Sequence, residues 1–512
     1  GSSRGIAAIV RQLNSPMFRA QDPLVFLVPS LFTLALALLL VRLFPLLMRL
    51  GNVLGTLTRR TTLYLAFRQL SRQSHQYTQA LLLIIVSLSL GAFMASMAVS
   101  LDQWLIDRVY YAIGSDVLLK QMPYQPTDPD EPPPPPTEGA WLYSPDVYTQ
   151  IPGITAAARV AMYPVVMAYA DDSSQAGVYI GVDRLDLPKT LFFRADFGEV
   201  SLGEMMNQLA AHRDGVIVSR RVFEKGSYEI GDRIRLRINV VDEVEHEAVY
   251  RIVGTYEYFP TVYEEQQAVE AARQEALAAR TRFRRTSGSS CRTFSCLQER
   301  AMGKAAVIGN LQYLYDQIGA TYLHYLWFTI DPDSDPQVMK VDIQNLNVYI
   351  GYWVDARDSI AAEMARIERV GIFGVLTIGF LGAAVLSGVG LMVYNYASLQ
   401  ERIFRFTVLR AVGLSLRQLV GQVGIEYLIL MVYSIAGGAG VGALSAKLFI
   451  RFFQAADQSV LYPPTLLPQI AWDHIGRISA VFVVVLVVAQ VVVVSAALRR
   501  GVFQALRMGD RE

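Results

Sequence analysis

Arg402, Phe406, Leu409 and Gly413 recur at spacings of four, three and four within Leu399–Gln418, a basic segment rich in large apolar residues. On a helix those positions share one face. An aromatic face with arginines can enter a groove on a soluble partner. The same pattern fits an amphipathic helix that lies on lipid and touches nothing else, and spacing alone leaves both readings open. Other chemistry is sparse. No G-x-x-x-x-G-K-[S/T] phosphate loop occurs; Gly442–Lys447 begins like one but lacks the second glycine and the hydroxyl. The five histidines (His75, His212, His246, His324 and His474) are scattered without metal-ligand spacing, and no G-x-S-x-G elbow exists. A membrane-anchored enzyme therefore finds no constellation here. The expectation is no catalytic, cofactor or metal site.

Cys291 and Cys296 are the only cysteines. Outside the cell a disulfide between them is permitted, and the short interval can close a loop. Two unpaired thiols are the other reading.

The elements that must position these residues follow from hydropathy. The chain has 512 residues, 53% of them hydrophobic. Five apolar stretches lie near residues 24–47, 77–99, 368–394, 422–450 and 475–498. Each can cross a hydrocarbon core of roughly 30 Å, which takes about 20 helical residues. Arg49, Arg59, Arg60, Arg68 and Arg72 follow the first stretch with no acid between them. Arg402, Arg405, Arg410 and Arg417 follow the third with Glu401 alone, and Arg499, Arg500, Arg507 and Arg511 follow the fifth. Lys/Arg excess marks the cytoplasmic side, and alternation of five spans puts all three basic segments there. The expected fold is an α-helical membrane protein of five transmembrane helices, with an extracytoplasmic mixed α/β domain on a helical stalk, in a bacterial cell membrane with its C-terminus inside.

The expected boundaries run as follows. Residues 1–22 form an external N-terminal remnant, 23–47 the first span, and 48–76 a cytoplasmic linker with an amphipathic helix. Residues 77–112 form the second span and stalk, 113–356 the external domain, and 357–396 stalk and third span. Residues 397–421 form the basic helix, 422–450 the fourth span, 451–472 an external loop, 473–498 the fifth span and 499–512 a cytoplasmic tail. The chain starts Gly1-Ser2-Ser3, without an initiator Met or a signal peptide. It reads as the later part of a longer protein; insertion with the N-terminus outside is the alternative.

Leu63, Phe67 and Leu70 make Thr61–Gln73 amphipathic. Helical rhythm continues past the second span through Leu101–Arg108, and Ile360, Met364, Ile367 and Gly371 lead into the third. Both helices are expected to leave the membrane as rods, unbroken to about 112 and from about 357; fraying at the interface is the alternative. In the external domain, alternation predicts strands at Ile234–Ile238 and Tyr250–Val253. Further strands are expected at Val165–Ala168, Val178–Val182, Gly215–Ser219 and Leu326–Ile330, and short helices at 145–150 and 203–212. Pro126–Glu138 and 264–304 read as extended or disordered, and the basic run Arg282–Arg285 as solvated.

Gly379, Ala383 and Ser387, and Gly438, Gly442 and Ala446, put small residues at every fourth position of two spans, where helices approach closely. Glu426 lies near the inner end of the fourth span. An acid there is a functional candidate, or it reaches headgroups or an arginine. No span carries a polar row fit to line a solute path.

The segment Arg402–Gly413 resembles the coupling helix of FtsX-like/MacB-like permeases of ABC transporters, which reads R-x-x-E-[FI]-x-x-[LM]-[RK]-A-[LIV]-G. Phe406, Leu409, Arg410, Ala411, Val412 and Gly413 match, and Arg402 matches the leading basic residue. The acid usual before the Phe is replaced by Arg405. Val502–Arg507 resembles the family's closing segment, and Asp214–Ser219, Gly231–Ile234 and Val253-Gly254 resemble the MacB-like periplasmic core. Residues 23–73 look like the end of a preceding repeat in a tandem permease. The resemblance implies that Arg402, Phe404, Phe406, Leu409, Arg410, Ala411 and Gly413 contact a cytoplasmic ABC-type ATPase dimer. It implies a second permease half, from a preceding repeat or another copy, as partner, with membrane lipid around both, an extracytoplasmic adaptor or hydrolase as a further partner, and no nucleic acid. The implied function is ATP-driven movement of the external domain that exports or extracts a lipid, lipoprotein or peptide. The alternative is an FtsX-type signalling scaffold that activates an extracytoplasmic cell-wall hydrolase.

Overall fold

Long runs of Leu, Val, Ile and Ala form helix wherever backbone groups cannot reach water, and the helix Val28–Gly55 continues through Pro45. The computed structural model describes residues 27–55, 61–72, 77–121, 142–169, 173–241, 244–263, 305–346, 350–365, 416–457, 464–488 and a few single positions besides. The chain divides into two compact units: Gly1–Gln103, Ile367–Gln458 and Leu466–Glu512 in the first, Trp104–Arg366 and Ser459–Thr465 in the second.

The first unit is helical. Its elements are α1 (Val28–Gly55), α2 (Thr61–Arg72), the membrane part of α3 (Thr78–Ile113), and two later helices over Leu416–Asp457 and 472–488. Three helices are long and apolar enough to cross a membrane: Val28–Val53, Thr78–Ile113 and Gly421–Phe452. The third and fifth expected spans fall partly outside the described residues, so five spans remain an expectation. Two boundaries move. The first helix runs past Leu47 to Gly55, and the fourth begins at Leu416 inside the expected basic helix and ends at Asp457 beyond residue 450. No proline lies between Leu416 and Asp457 to stop it. On α1, Ala37, Val41, Phe44 and Met48 turn inward against Leu70, Tyr77, Leu81 and Ile85. Leu38, Leu39, Leu43, Leu46 and Leu50 stay exposed, as lipid-facing side chains do.

The second unit is the expected mixed α/β domain. Its nine strands are β1 (Val117–Gln121), β2 (Ile154–Ala168), β3 (Ser174–Val182), β4 (Gly215–Ser219), β5 (Arg233–Val241), β6 (Val244–Tyr256), β7 (Ala305–Asn310), β8 (Tyr325–Ile330) and β9 (Ile350–Asp355). The helices between them are α4 (Pro145–Tyr148), α5 (Leu187–Thr190), α6 (Leu202–Ala211), α7 (Arg220–Lys225), α8 (Leu311–Ile318), α9 (Pro336–Asn345) and α10 (Ala356–Met364). The later membrane-unit helices are α11 (Leu416–Asp457) and α12 (472–488). All six expected strands lie within these elements, and the helices expected at 145–150 and 203–212 overrun α4 and α6 by two residues and one.

The strand order is β3-β7-β4-β6-β5-β2-β8-β1-β9, and β3 also pairs with β2. Six strands therefore close into a barrel, β2-β3-β7-β4-β6-β5. The length of β2 permits this: Ile154–Val160 pair with β8, Val165–Ala168 with β5, and Val160–Ala168 with β3 on the other edge. Alternation fills the barrel. Met167, Tyr179, Val218, Leu236, Ile252 and Val307 point inward. Outside it, α6 and the last turns of α3 cover β3, β7 and β4, with Val109 and Ile113 beside Ile180, Met205, Leu209 and Ile308. The remaining strands, β8, β1 and β9, carry α4 and α9 through Tyr148, Met339 and Ile343.

The first rod is continuous as expected: α3 is one helix of 36 residues. The second is described only as α10, which a turn at Ala365 closes, with that N–H bonded to Ala361 and Glu363 carbonyls. Residues 366–373, which would continue this run, lie outside the described residues.

Leu236→Ala should lower the stability of the α/β unit by about 2–5 kcal/mol. Asn239→Ala, on the outer side of the same strand, should stay within about 0.5 kcal/mol. Protease resistance of the full chain across a urea series reads both; equal losses would remove Leu236 from the barrel interior.

Candidate functional site

The helix α3 carries four polar or amphipathic residues at spacings of four, four and three, Ser96, Ser100, Trp104 and Asp107, on one face of an otherwise apolar run. Each is taken up by the non-helical segment 464–471 or by a residue bound to it.

In the membrane unit, Ser100 Oγ donates to Gln469 O at 3.2 Å and accepts from Gln469 N at 2.8 Å. Ser96 Oγ accepts from Ala471 N at 3.3 Å. The same hydroxyls bond back to Ala92 O and Ser96 O on their own helix. Backbone that is not helical needs such partners near the bilayer, because water is scarce there.

In the α/β unit, Trp104 Nε1 donates to Pro464 O at 2.8 Å. Arg194 then gathers the rest. Its Nη1 donates to Asp107 Oδ2 at 2.7 Å, its Nε to Asp196 Oδ1 at 2.9 Å and its Nη2 to Thr465 O at 3.0 Å. Thr465 Oγ1 donates to Asp196 Oδ2 at 2.9 Å. The guanidinium also lies over the Phe197 ring, 5.2 Å from its centre. The Arg194 and Asp107 side chains are only 11% and 9% exposed, so the pair is desolvated and depends on this geometry. Burial works against the Arg194 charge, but the Asp196 carboxylate and then Asp107 outweigh it and its pKa rises. Burial likewise pushes the Asp196 carboxyl up, and Arg194 with the Thr465 hydroxyl outweighs that, so its pKa is lowered. The arrangement fastens two pieces of chain, 194–197 and 464–471, to one helix.

A second contact joins α3 to α11 within the membrane unit. A Cβ built on Gly438 would lie 2.9 Å from Leu88 Cβ and 3.1 Å from Ile85 O. One built on Gly442 would lie 2.5 Å from Ala92 Cβ and 2.6 Å from Ser89 O. The two backbones touch where the glycines stand, and Ala446 is fully buried one turn on. Towards the start of α11, Glu426 is 1% exposed. Its Oε2 accepts from Tyr77 OH at 2.9 Å and its Oε1 from Gln422 Nε2 at 3.2 Å. It therefore reaches a tyrosine and an amide inside the bundle.

Of the residues singled out by sequence, Arg402, Phe404, Phe406, Leu409, Arg410, Ala411 and Gly413 lie outside the described residues, as do Gly379, Ala383, Cys291 and Cys296. Gly438, Gly442 and Ala446 are placed as above. Arg194 and Thr465 were not foreseen. Ser96, Ser100, Trp104 and Asp107 could have been, because polar residues at helical spacing along an apolar helix signal a partner.

Residues 377–505 match the family described as FtsX-like permease C-terminal. That range contains Arg402–Gly413, so the resemblance read from those residues is shown. Solved structures similar to this chain include the periplasmic region of MacB from Actinobacillus actinomycetemcomitans, at 7% identity, covering 50% of this chain and 95% of that one, with a TM-score of 0.27. They also include the extracellular domain of the noncanonic ABC-type transporter YknZ from Gram-positive bacteria, at 8% identity, covering 41% and 85%, with a TM-score of 0.25. TM-scores this low establish no shared fold. No curated protein matches the sequence.

Arg194→Ala strands the Asp107 carboxylate and should destabilise the α/β unit by roughly 3–5 kcal/mol, with Asp107→Asn restoring part of the loss, read by protease resistance of the full chain. Because the Asp196 pKa is lowered by folding, its contribution is complete above an ordinary carboxylate pKa of about 3.9 and disappears as the pH falls through the lowered value. Wild type should lose this increment in acid, and Asp196→Asn should not; parallel acid profiles would refute the assignment.

Proposed function

We propose that the chain is a permease subunit or half of an ABC transporter, a reading supported by the match of residues 377–505 to the FtsX-like permease C-terminal family. A cytoplasmic ATPase dimer supplies the hydrolysis; permeases of this family are generally not catalytic themselves. ATP-driven closure of the ATPase moves the coupling helix formed by Arg402, Phe404, Phe406, Leu409, Arg410, Ala411 and Gly413. The bundle transmits the movement to the α/β domain on the far side of the membrane. The moving domain extracts or exports a lipid, lipoprotein or peptide.

One observation carries the mechanical reading. α3 enters the bundle as an apolar span and ends as part of the α/β core, with Val109 and Ile113 buried there. Coupling between distant sites requires an element that both bias, and a helix without a break is stiff enough to act as one. The fasteners on its face tie 464–471, the segment leading into α12, to the same rod, so a shift of α3 pulls on both. The absence of a polar row along the spans supports movement of a bulky amphipathic substrate over conduction of a small solute.

Phe406→Asp or Leu409→Asp should abolish co-purification with the cognate ATPase while membrane insertion persists. Unchanged association would remove the coupling-helix assignment. Ser173 lies on the surface of the α/β unit, and Ser173→Cys should react with an impermeant maleimide on intact cells. Labelling only after permeabilisation would invert the topology.

A further inference from the structure

The barrel is dressed unevenly. Helices cover β3, β7 and β4, but the wall formed by β6, β5, β2 and the start of β3 has its outward side chains open. On β5, Arg233, Arg235, Arg237 and Asn239 alternate outward against buried Ile234, Leu236 and Ile238. Register sets their neighbours: Arg233 stands opposite Arg251, Arg235 opposite Val249, and Arg237 opposite Glu247. On the other edge Arg237 faces Val166.

Two features make this wall unlike an ordinary solvated sheet. The first is the cross-strand pair Arg233–Arg251. Like charges directly opposite one another destabilise a sheet, yet neither these two nor Arg235 forms an ion pair among the described residues. Arg237 differs, since it pairs with Glu247 at 3.1 Å. The second feature is that the same rows expose Val249 and Val166, at 47% and 39%. Guanidinium groups standing among exposed valines match a protein surface that offers carboxylates beside apolar side chains.

We propose that the open wall β6-β5-β2-β3 docks the acidic, partly apolar surface of a partner protein, with Arg233, Arg235 and Arg251 receiving its carboxylates and Val166 and Val249 packing against it. Charge sets the choice of occupant. The wall carries four arginines against two glutamates, Glu245 and Glu247, so two copies face to face would leave cations in excess. An anionic bilayer would satisfy the arginines but set both valines against headgroups. An acidic protein surface satisfies both. The inference stands apart from the transport reading, because it concerns a wall of the α/β unit and needs neither an ATPase nor a particular topology.

The test uses the full chain in nanodiscs of phosphatidylcholine and, as probe, a capped, fluorescein-labelled peptide alternating glutamate and valine. Wild type should bind it in a salt-sensitive way. Arg233→Glu combined with Arg235→Glu should weaken binding at least about tenfold. Lys189→Glu with Lys340→Glu, on α5 and α9, should change it by less than about twofold. Replacing glutamate by glutamine in the peptide should abolish binding, and replacing valine by serine should weaken it. Protease resistance of each variant confirms that it is folded. Undiminished binding in the arginine variant, or an equal loss in the lysine variant, overturns the proposal. So does preferential binding to vesicles of equal phosphatidylglycerol and phosphatidylcholine with the same arginine dependence, which assigns the wall to lipid. Self-association of the wild type that Arg235→Glu abolishes assigns it to a second copy.

Discussion

Everything described here hangs on one helix having to satisfy two solvents. α3 has 36 residues, about 54 Å at about 1.5 Å per residue, against a hydrocarbon core of about 30 Å. Its first half must be apolar all round or lined by small residues where α11 approaches. Its last turns must be apolar on the side that enters the α/β core. Between them the helix cannot fray, because its backbone bonds are its own and its side chains are already committed. Ser96 and Ser100 hold the segment before α12, Trp104 and Asp107 hold Pro464 and Arg194, and Val109 and Ile113 are core. A helix with every turn assigned in this way behaves as a solid part.

The barrel supplies the second half of that stiffness. A flat sheet would offer α3 a surface that could flex. Closing β3 onto β2 removes the edge and fixes the spacing of the strands that α3 and α6 cover. Tyr179 shows how tightly: it is fully buried on β3, and its hydroxyl reaches Asn310 O at the end of β7. The strand that makes closure possible, β2, also carries the flat extension β8-β1-β9, and β1 follows α3 after a turn at Gly114 and Ser115. Movement of the helix end therefore meets both subdomains through one short connection.

Legibility in the sequence followed the range of the interactions. Alternation in Ile234–Ile238 and in Gly215–Ser219 is local, and those strands stand where periodicity put them. The small-residue spacing of Gly438, Gly442 and Ala446 is local too, although the identity of the neighbour, α3, was not readable. Barrel closure was hidden because β7 lies beyond residues 264–304, a long stretch with no strand signal of its own, and because a single strand, β2, serves two sheets. The Arg194 cluster was hidden more deeply. Asp196 is a near neighbour, but Asp107 and Thr465 lie 87 and 271 residues from Arg194, and an isolated arginine in a loop usually reads as solvated.

The choice of fasteners along α3 follows from where each one sits. In the membrane unit they are serines. A hydroxyl can bond the preceding turn's carbonyl and still accept an N–H from another segment, so it never presents an unsatisfied group to hydrocarbon. A charge there would need a full complement of partners, and Glu426, the one acid buried in the bundle among the described residues, has Tyr77 and Gln422 arranged around its two oxygens. In the α/β unit the fastener is an ion cluster. Arg194 can hold two carboxylates there because Asp196 is gripped in a fork by Nε and Nη2, Asp107 takes Nη1, and a backbone carbonyl accepts a further N–H.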